Sequence, residues 1–309
     1  MPTPIGIRMH WTLSLAGFFL RSNILGCGLP LLASFKLTHA CNLACRACPF
    51  HRLTGGPAAA MDWDTATGCL DEIRRRGCRI VIFEGGEPLM WRDGRRTIHD
   101  IIRYARERFL RVAVTTNGTL GLDVPAHVVW VSIDGLPATH DRLRSGSFER
   151  IRRNLLCTRH PKVLAHHTVN RENCGDLKDL MALLAGMPAV RGLTLQFFYP
   201  YGRGEEDLAL STGQRRESIE TAIALKQRGY PILNSTAVLR AMIDNTWTCP
   251  EQILINVDPD GTITQGCYAK SRGAVRCAAC GFTPVAEAAA ALRLNPGALR
   301  TGWKTFIST

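Results

Sequence analysis

Short apolar runs and longer amphipathic runs alternate along most of this chain. Six runs are short, continuous and rich in β-branched residues: Leu32–Thr38, Arg79–Phe83, Arg111–Thr115, Val128–Asp134, Val163–Val169 and Leu193–Phe197. Their length and composition predict buried strands. Between them, apolar residues recur at helical spacing over Trp63–Arg76, Arg95–Arg108, Phe148–Arg159, Asp176–Ala185 and Gly213–Arg228. Alternation of this kind predicts parallel βα units. Six units fall short of the eight that close a barrel, so the expected class is α/β: an open, partial (β/α)6 TIM-like barrel. From about Asn245 the pattern changes to short strands, glycine turns and cysteines, then an alanine-rich helix after Pro284. We therefore expect an amphipathic lead-in over 1–30, the partial barrel over 31–240, and a small cysteine-rich domain over 241–309.

With 309 residues, the chain is long enough for one large domain with a small appendage. The lead-in contains the apolar stretch Trp11–Leu20, about half the length that spans a bilayer. It predicts an amphipathic helix that covers the barrel bottom or touches a membrane surface. The formal net charge is +12. That charge suits an anionic substrate or membrane surface, but its arginines sit at helical spacing among core positions, which is the pattern of solvated helix faces. No basic run interleaved with aromatics points to nucleic acid. The chain has 12 cysteines, clustered at metal-ligand spacings rather than scattered in pairs, which favours a reducing, cytoplasmic setting.

In βα barrels the site forms at the C-terminal ends of the strands, and each predicted strand ends in polar residues. The first runs into Cys41, Cys45 and Cys48. The second ends in Glu84-Gly85-Gly86-Glu87-Pro88, and the third in Thr116-Asn117-Gly118. Ser132 and Asp134 share one face of the fourth, because strand side chains alternate. The fifth carries His166 and His167, one of which must face inward, and ends near Asn170 and Asn173. The sixth ends in Tyr199-Pro200-Tyr201-Gly202-Arg203.

The spacing C-x3-C-x2-C supplies three thiolates. A cubane iron–sulfur cluster takes four, so three would leave one iron open to a small molecule, as catalytic zinc sites keep an open position. A structural zinc site would need a fourth ligand, and only His39 and His51 stand near. Farther on, Cys249, Cys267, Cys277 and Cys280 make four thiolates, enough to close a cubane or a tetrahedral zinc site. Asp258-Pro259-Asp260-Gly261 is a hairpin signal that brings Cys267 toward Cys249. Cys27, Cys69, Cys78, Cys157 and Cys174 have no partner spacing and are expected to be small buried hydrophobes.

The three-cysteine loop, FEGGEP, TTNG, WVSIDG and YPYGRG occur in an order that resembles the radical S-adenosylmethionine (SAM) superfamily over nearly the whole chain. That resemblance implies a SAM-binding [4Fe-4S] cluster on Cys41, Cys45 and Cys48. It implies reductive cleavage of SAM to a 5′-deoxyadenosyl radical, which abstracts hydrogen from, or adds to, a substrate. Gly85, Gly86 and Glu87 would receive the methionine amino group. Asn117, Ser132 and Asp134 match positions that contact the SAM ribose or carboxylate, with Asn173 and Gln196 as weaker candidates.

The C-terminal region resembles the SPASM/twitch extension of that superfamily, in its short four-cysteine twitch form. This implies a second, auxiliary [4Fe-4S] cluster on Cys249, Cys267, Cys277 and Cys280. Ala47 stands where the superfamily often has an aromatic residue. With the apolar lead-in, it resembles the adenosylhopane synthase-like branch, which adds a SAM-derived adenosyl group to a polyisoprenoid. The implied partners are a small-molecule, lipid or peptide substrate and a low-potential electron donor such as flavodoxin or ferredoxin. Candidate substrate classes are a ribosomal peptide, a cofactor precursor or an isoprenoid lipid. The competing reading is a non-catalytic iron–sulfur electron carrier or redox sensor, which would need four cysteines at every cluster and no SAM pocket.

Overall fold

The computed structural model describes residues 15, 17–22, 28–48, 50, 59–270 and 272–308. Six parallel strands form the body of one sheet: β1 (Leu32–Lys36), β2 (Ile80–Glu84), β3 (Arg111–Thr116), β4 (Val128–Ser132), β5 (Val163–Val169) and β6 (Val190–Phe197). A hairpin, β7 (Leu254–Val257) and β8 (Ile263–Gln265), extends it. Strand β7 pairs parallel with β1, and β8 pairs antiparallel with β7. The spatial order is β8-β7-β1-β2-β3-β4-β5-β6. Each strand and helix predicted between residues 32 and 228 is present, with ends shifted by up to three residues. The cysteine-bearing C-terminal hairpin is continuous with the barrel sheet.

Both sides of the sheet are covered, so its strands read as near-continuous apolar runs. The outward side chains Phe35, Phe83, Val114 and Val131 pack under helices α1 (Trp63–Arg75), α2 (Ile98–Arg106) and α4 (Phe148–Cys157), against residues such as Leu70, Ile101, Ile102 and Ile151. Side chains of this size each stabilise the fold by about 1.5–3 kcal/mol when fully buried. The helices begin where local chemistry stops the backbone: Asp62 Oδ1 accepts from Thr65 N at 2.7 Å, and Thr97 with Asp100 forms a capping box. The short helix α3 (Pro137–Leu143), not anticipated from sequence, starts at a proline in its first turn.

The inward side chains form a gradient. Leu32, Ile80, Ile82, Ala113, Trp130 and Leu164 make an apolar floor, into which Phe18 and Phe306 also pack. Higher on the same strands stand Ser34, Lys36, Glu84, Ser132, His166 and Thr168, with Gln196 beside them on β6. Phe18 lies in a helical segment of the lead-in, so its described part covers the barrel bottom; positions 11–14 and 16 of the apolar stretch lie outside the described residues.

The partial barrel would leave β6 with a bare edge, an invitation to mispairing. Three devices cover it. Residues 231–233 bond Leu193 through Leu193 N–Pro231 O (2.9 Å) and Leu233 N–Leu193 O (2.8 Å). The Asn234 amide bonds both the N–H and the C=O of Leu195. The alanine-rich helix α8 (Thr283–Leu292) then descends along the seam, anchored by Phe197 N–Gly281 O (3.0 Å) and by Thr283 Oγ1 donating to Leu195 O.

Three histidines pin strand ends by accepting a backbone N–H at Nδ1: His127 from Val112, His140 from Asp134 and His160 from Lys162, each at 3.1 Å. A ring nitrogen that accepts a hydrogen bond cannot carry a proton. Burial, above all, pushes His127 and His140 down to about 4 and lowers His160. The unfolded chain takes protons near the ordinary histidine value of about 6.5, so between about pH 6.5 and 4 it binds more protons than the fold. Stability that is fully present above that window is therefore lost as pH falls through it. Melting curves should show a lower midpoint at pH 5 than at pH 7, and His140→Gln should reduce that drop. An unchanged pH dependence in the variant would contradict this reading.

Candidate functional site

The loop after β1 carries Cys41, Cys45 and Cys48, and neighbouring segments hold it. From β2, Gly86 N donates to Thr38 O at 2.9 Å and Glu87 N donates to Ala40 O at 2.8 Å. This close approach requires glycine. A Cβ on Gly86 would stand 2.2 Å from Ala40 O, and Gly85 has φ +120° with Thr38 O 2.8 Å from where its Cβ would be. From β3, Asn117 Nδ2 donates to Asn42 Oδ1 (2.8 Å) and toward Cys41 Sγ (3.7 Å). From the turn after α3, Leu143 O accepts from Arg46 N at 3.0 Å, and Ser145 Oγ accepts from Ala44 N at 3.1 Å.

The three thiols line one end of a cavity of about 590 Å³ that runs down the barrel interior. Gly85, Gly86, Asn117, Ser132 and Asp134 line it too, as do Gln196 and His166. His166 is the inward histidine of the pair. Its Nδ1 lies 3.0 Å from Thr194 Oγ1, and burial pushes it to about 4. His167 is buried against Ile133 O.

Glu87 is not arranged as the sequence suggested. Its carboxylate accepts from Thr116 Oγ1 (2.7 Å), Asn117 N (2.7 Å) and Leu89 N (3.0 Å), and it is fully buried outside the cavity lining. It fastens β2 to β3, with three donors on its two oxygens, and does not reach the cavity. Asn173 is likewise internal, bonded to Thr168 O and to Asn170 N.

Asp134 lines the cavity, but both its oxygens are engaged, one by Thr168 N (2.8 Å) and the other by Arg144 Nε (2.5 Å). Burial works to raise its pKa, yet Arg144, and then His167, hold it below the ordinary carboxylate range. Arg144 is the site residue that sequence reasoning missed. Its guanidinium lies 4.0 Å from Cys45 Sγ, lines the cavity, and is the cation that acts on that thiol. The only sequence signal was an arginine soon after a proline-started helix, which is indistinguishable from a surface arginine.

The triad is chemically suited to a cluster. Its thiols are free and close together. Burial is the first cause of the raised pKa at Cys41 and Cys45, the latter to about 11, and the neighbouring Cys48 adds to both. Among the described residues, no three His, Cys, Asp or Glu side chains are arranged to hold a single metal ion; His51 lies outside those residues. N–H groups of Asn117 and Arg144 are turned toward the sulfurs of Cys41 and Cys45, the kind of contact that tunes a cluster thiolate. The C-terminal set behaves alike: Cys249, Cys267 and Cys280 are half-buried and Cys277 is exposed. Burial first, then the neighbouring thiols, push Cys249 to about 11. Gly266 (φ +114°) and the turn at Gly261 (φ +84°) set Cys267 beside them. Of the remaining cysteines, Cys69 and Cys78 are buried as expected, whereas Cys157 is exposed and Cys174 half-buried; Cys27 lies outside the described residues.

The profile of the radical SAM superfamily matches residues 35–184. The chain is 29% identical over 279 residues to the AdoMet-dependent heme synthase of Methanosarcina barkeri, covering 83% of this chain and 78% of that one. It is 28% identical over 219 residues to the mycofactocin maturase MftC of Mycolicibacterium smegmatis, covering 66% of this chain but 54% of the relative. Among solved structures, Streptococcus suis SuiB bound to precursor peptide SuiA superposes with a TM-score of 0.63 at 14% identity, over 84% of this chain and 64% of SuiB. That likeness concerns the fold. These relatives are enzymes of haem synthesis and peptide maturation, so the resemblance to the adenosylhopane branch gains no support. No helix among the described residues is long and apolar enough to cross a membrane.

Removing the Arg144 guanidinium would leave Asp134 charged and buried, since their side chains are only 16% and 4% exposed. Breaking one half of such a pair costs about 3–5 kcal/mol. Urea denaturation of Arg144→Met should show a loss of that size, largely recovered in Arg144→Met/Asp134→Asn. A single variant as stable as the parent would refute the buried pairing.

Proposed function

We propose that this chain, whose residues 35–184 match the radical SAM superfamily, cleaves SAM reductively and directs the resulting radical at a substrate held inside the barrel. The observation that carries this reading is the placing of three neighbouring thiols, with no fourth among the described residues around them, at the polar mouth of a deep cavity. Bound there, a reduced [4Fe-4S] cluster supplies one electron that breaks a carbon–sulfur bond of SAM, giving methionine and a 5′-deoxyadenosyl radical.

The chain's own residues bind and orient. Gly85 and Gly86, lacking side chains, open room beside the triad for the methionine part. Their neighbour Glu87 holds that backbone rigid by bonding across to β3. Arg144, kept charged and aimed by Asp134, is the cation that a SAM carboxylate would meet. Ser132, whose hydroxyl has no hydrogen bond among the described residues, and Gln196 stand on the inner face where hydroxyls of a ribose can be reached. Asn117 orients Cys41 rather than the cofactor. The floor of Trp130, Ile80 and Ile82 excludes water from the place where a radical would meet substrate.

Cys249, Cys267, Cys277 and Cys280 are proposed to hold a second [4Fe-4S] cluster with every iron capped, suited to electron transfer. The substrate is proposed to be a small molecule such as a cofactor precursor, or a peptide. A low-potential carrier of the flavodoxin or ferredoxin kind would supply the electron.

Anaerobically reconstituted protein should hold about eight irons, and the Cys249→Ser/Cys267→Ser variant about four. Given SAM and a strong reductant, the parent should form 5′-deoxyadenosine, and Cys45→Ala should form none. Turnover by Cys45→Ala would overturn the assignment. Four irons in the parent would remove the second cluster alone.

A further inference from the structure

The lower half of the cavity is lined by Leu32, Ile80, Ile82, Trp130 and Phe306, with Ala288 of α8 as its side wall. Two of its lining residues also face solvent: Leu299 is 36% and Trp303 57% exposed. They stand four residues apart on consecutive helical turns, α9 (Pro296–Gly302) and the turn that follows it, so they share one side. A residue that touches both the cavity and bulk water marks a mouth. The triad therefore sits at one end of the passage and this apolar mouth at the other, at the N-terminal ends of the strands. Arg111 Nε donates to Phe306 O, and Lys162 Nζ donates to Lys304 O at 2.7 Å and to Ser308 O, which locks the C-terminal segment against that floor.

The exposed charge around the mouth has one sign. Beyond Glu287 the chain contains no Asp or Glu but carries Arg293, Arg300 and Lys304. All three are exposed and have no acidic partner among the described residues. Glu287 itself is half-buried on the α8 wall rather than at the rim; it accepts from Ser235 N (2.6 Å), burial raises it to about 7, and the cation Lys226 acts on it. At the triad end the charges are matched: the cations Arg144, Arg272 and Lys36 stand with the carboxylates Asp134, Asp258 and Glu84.

Building on the reading that this cavity holds the substrate, we propose that its lower half binds the apolar body of an anionic amphiphile. The acidic end lies at the Leu299–Trp303 mouth and the far end points to the cysteine triad. Apolar walls take the body out of water. Cations at the rim select the sign of the head group and draw it in from solution. In the upper half the cations are already matched by carboxylates, so an anionic head group gains less there than at the rim.

Titration calorimetry on the reconstituted protein without SAM tests this, using dodecanoate below its micelle concentration against dodecyltrimethylammonium. We expect dodecanoate to bind at least about tenfold more tightly. Arg300→Glu/Lys304→Glu, which changes only exposed side chains, should abolish or reverse that preference. Ala291→Phe, which narrows the passage from the α8 wall, should weaken dodecanoate about tenfold, with unchanged melting midpoints certifying both folds. No binding of dodecanoate, equal binding of the two head groups, or binding indifferent to both variants would overturn the proposal. Because SAM is absent, a protein that cleaves SAM yet ignores dodecanoate would sink this inference alone.

Discussion

The backbone contact between residues 38–40 and 86–87 is the constraint on which the rest of the site depends. Strands β1 and β2 pair up to Lys36 and Glu84, and the pairing then continues as Gly86 N–Thr38 O and Glu87 N–Ala40 O into the loop that presents the first cysteine. Only a chain without Cβ atoms at 85 and 86 can come so close. The contact turns a flexible cysteine loop into an extension of the sheet, and the Glu87 carboxylate extends the same rigidity to β3. Preorganisation of this kind is what a site needs if its chemistry is supplied by a bound group rather than by the side chains.

A second consequence follows from strand alternation. Period-two placement gives the barrel interior one side chain from every second residue, and on β1 to β5 these change from apolar to polar in the same direction. The passage therefore has an apolar floor and a hydrogen-bonding top. The helix α8 completes it. Alanines let that helix lie close against the seam beside β6, and Asn234 and Thr283 satisfy the edge groups of Leu195 that the missing strands would have bonded.

Much of this was legible in the sequence because it rests on local rules. Strands buried on both faces and helices with a single apolar stripe announce themselves by period, and the glycines of the GGEP turn announce a close approach. Side-chain direction after the strand ends did not. Glu87 follows two glycines in a turn, where alternation no longer dictates facing, and it points into the wall between β2 and β3 instead of the cavity. Asn117 and Asp134 do reach the site, but they orient Cys41 and Arg144. Arg144 was invisible because its significance comes from a contact with Asp134 ten residues away in sequence and with Cys45 ninety-nine away. The short helix that delivers it has too few residues for a periodic signal. The hairpin Leu254–Gln265 was foreseen as a turn between short strands, but its parallel pairing with β1 is a long-range choice that no local pattern encodes.

The most direct test of the central claim is electron paramagnetic resonance of the anaerobically reconstituted, dithionite-reduced protein before and after SAM is added. We expect the signal of the cluster on Cys41, Cys45 and Cys48 to change in g-values when SAM binds, and Cys249→Ser/Cys267→Ser protein to show the same change. A spectrum indifferent to SAM would mean that no open iron exists at the triad, and the proposed chemistry would fall with it.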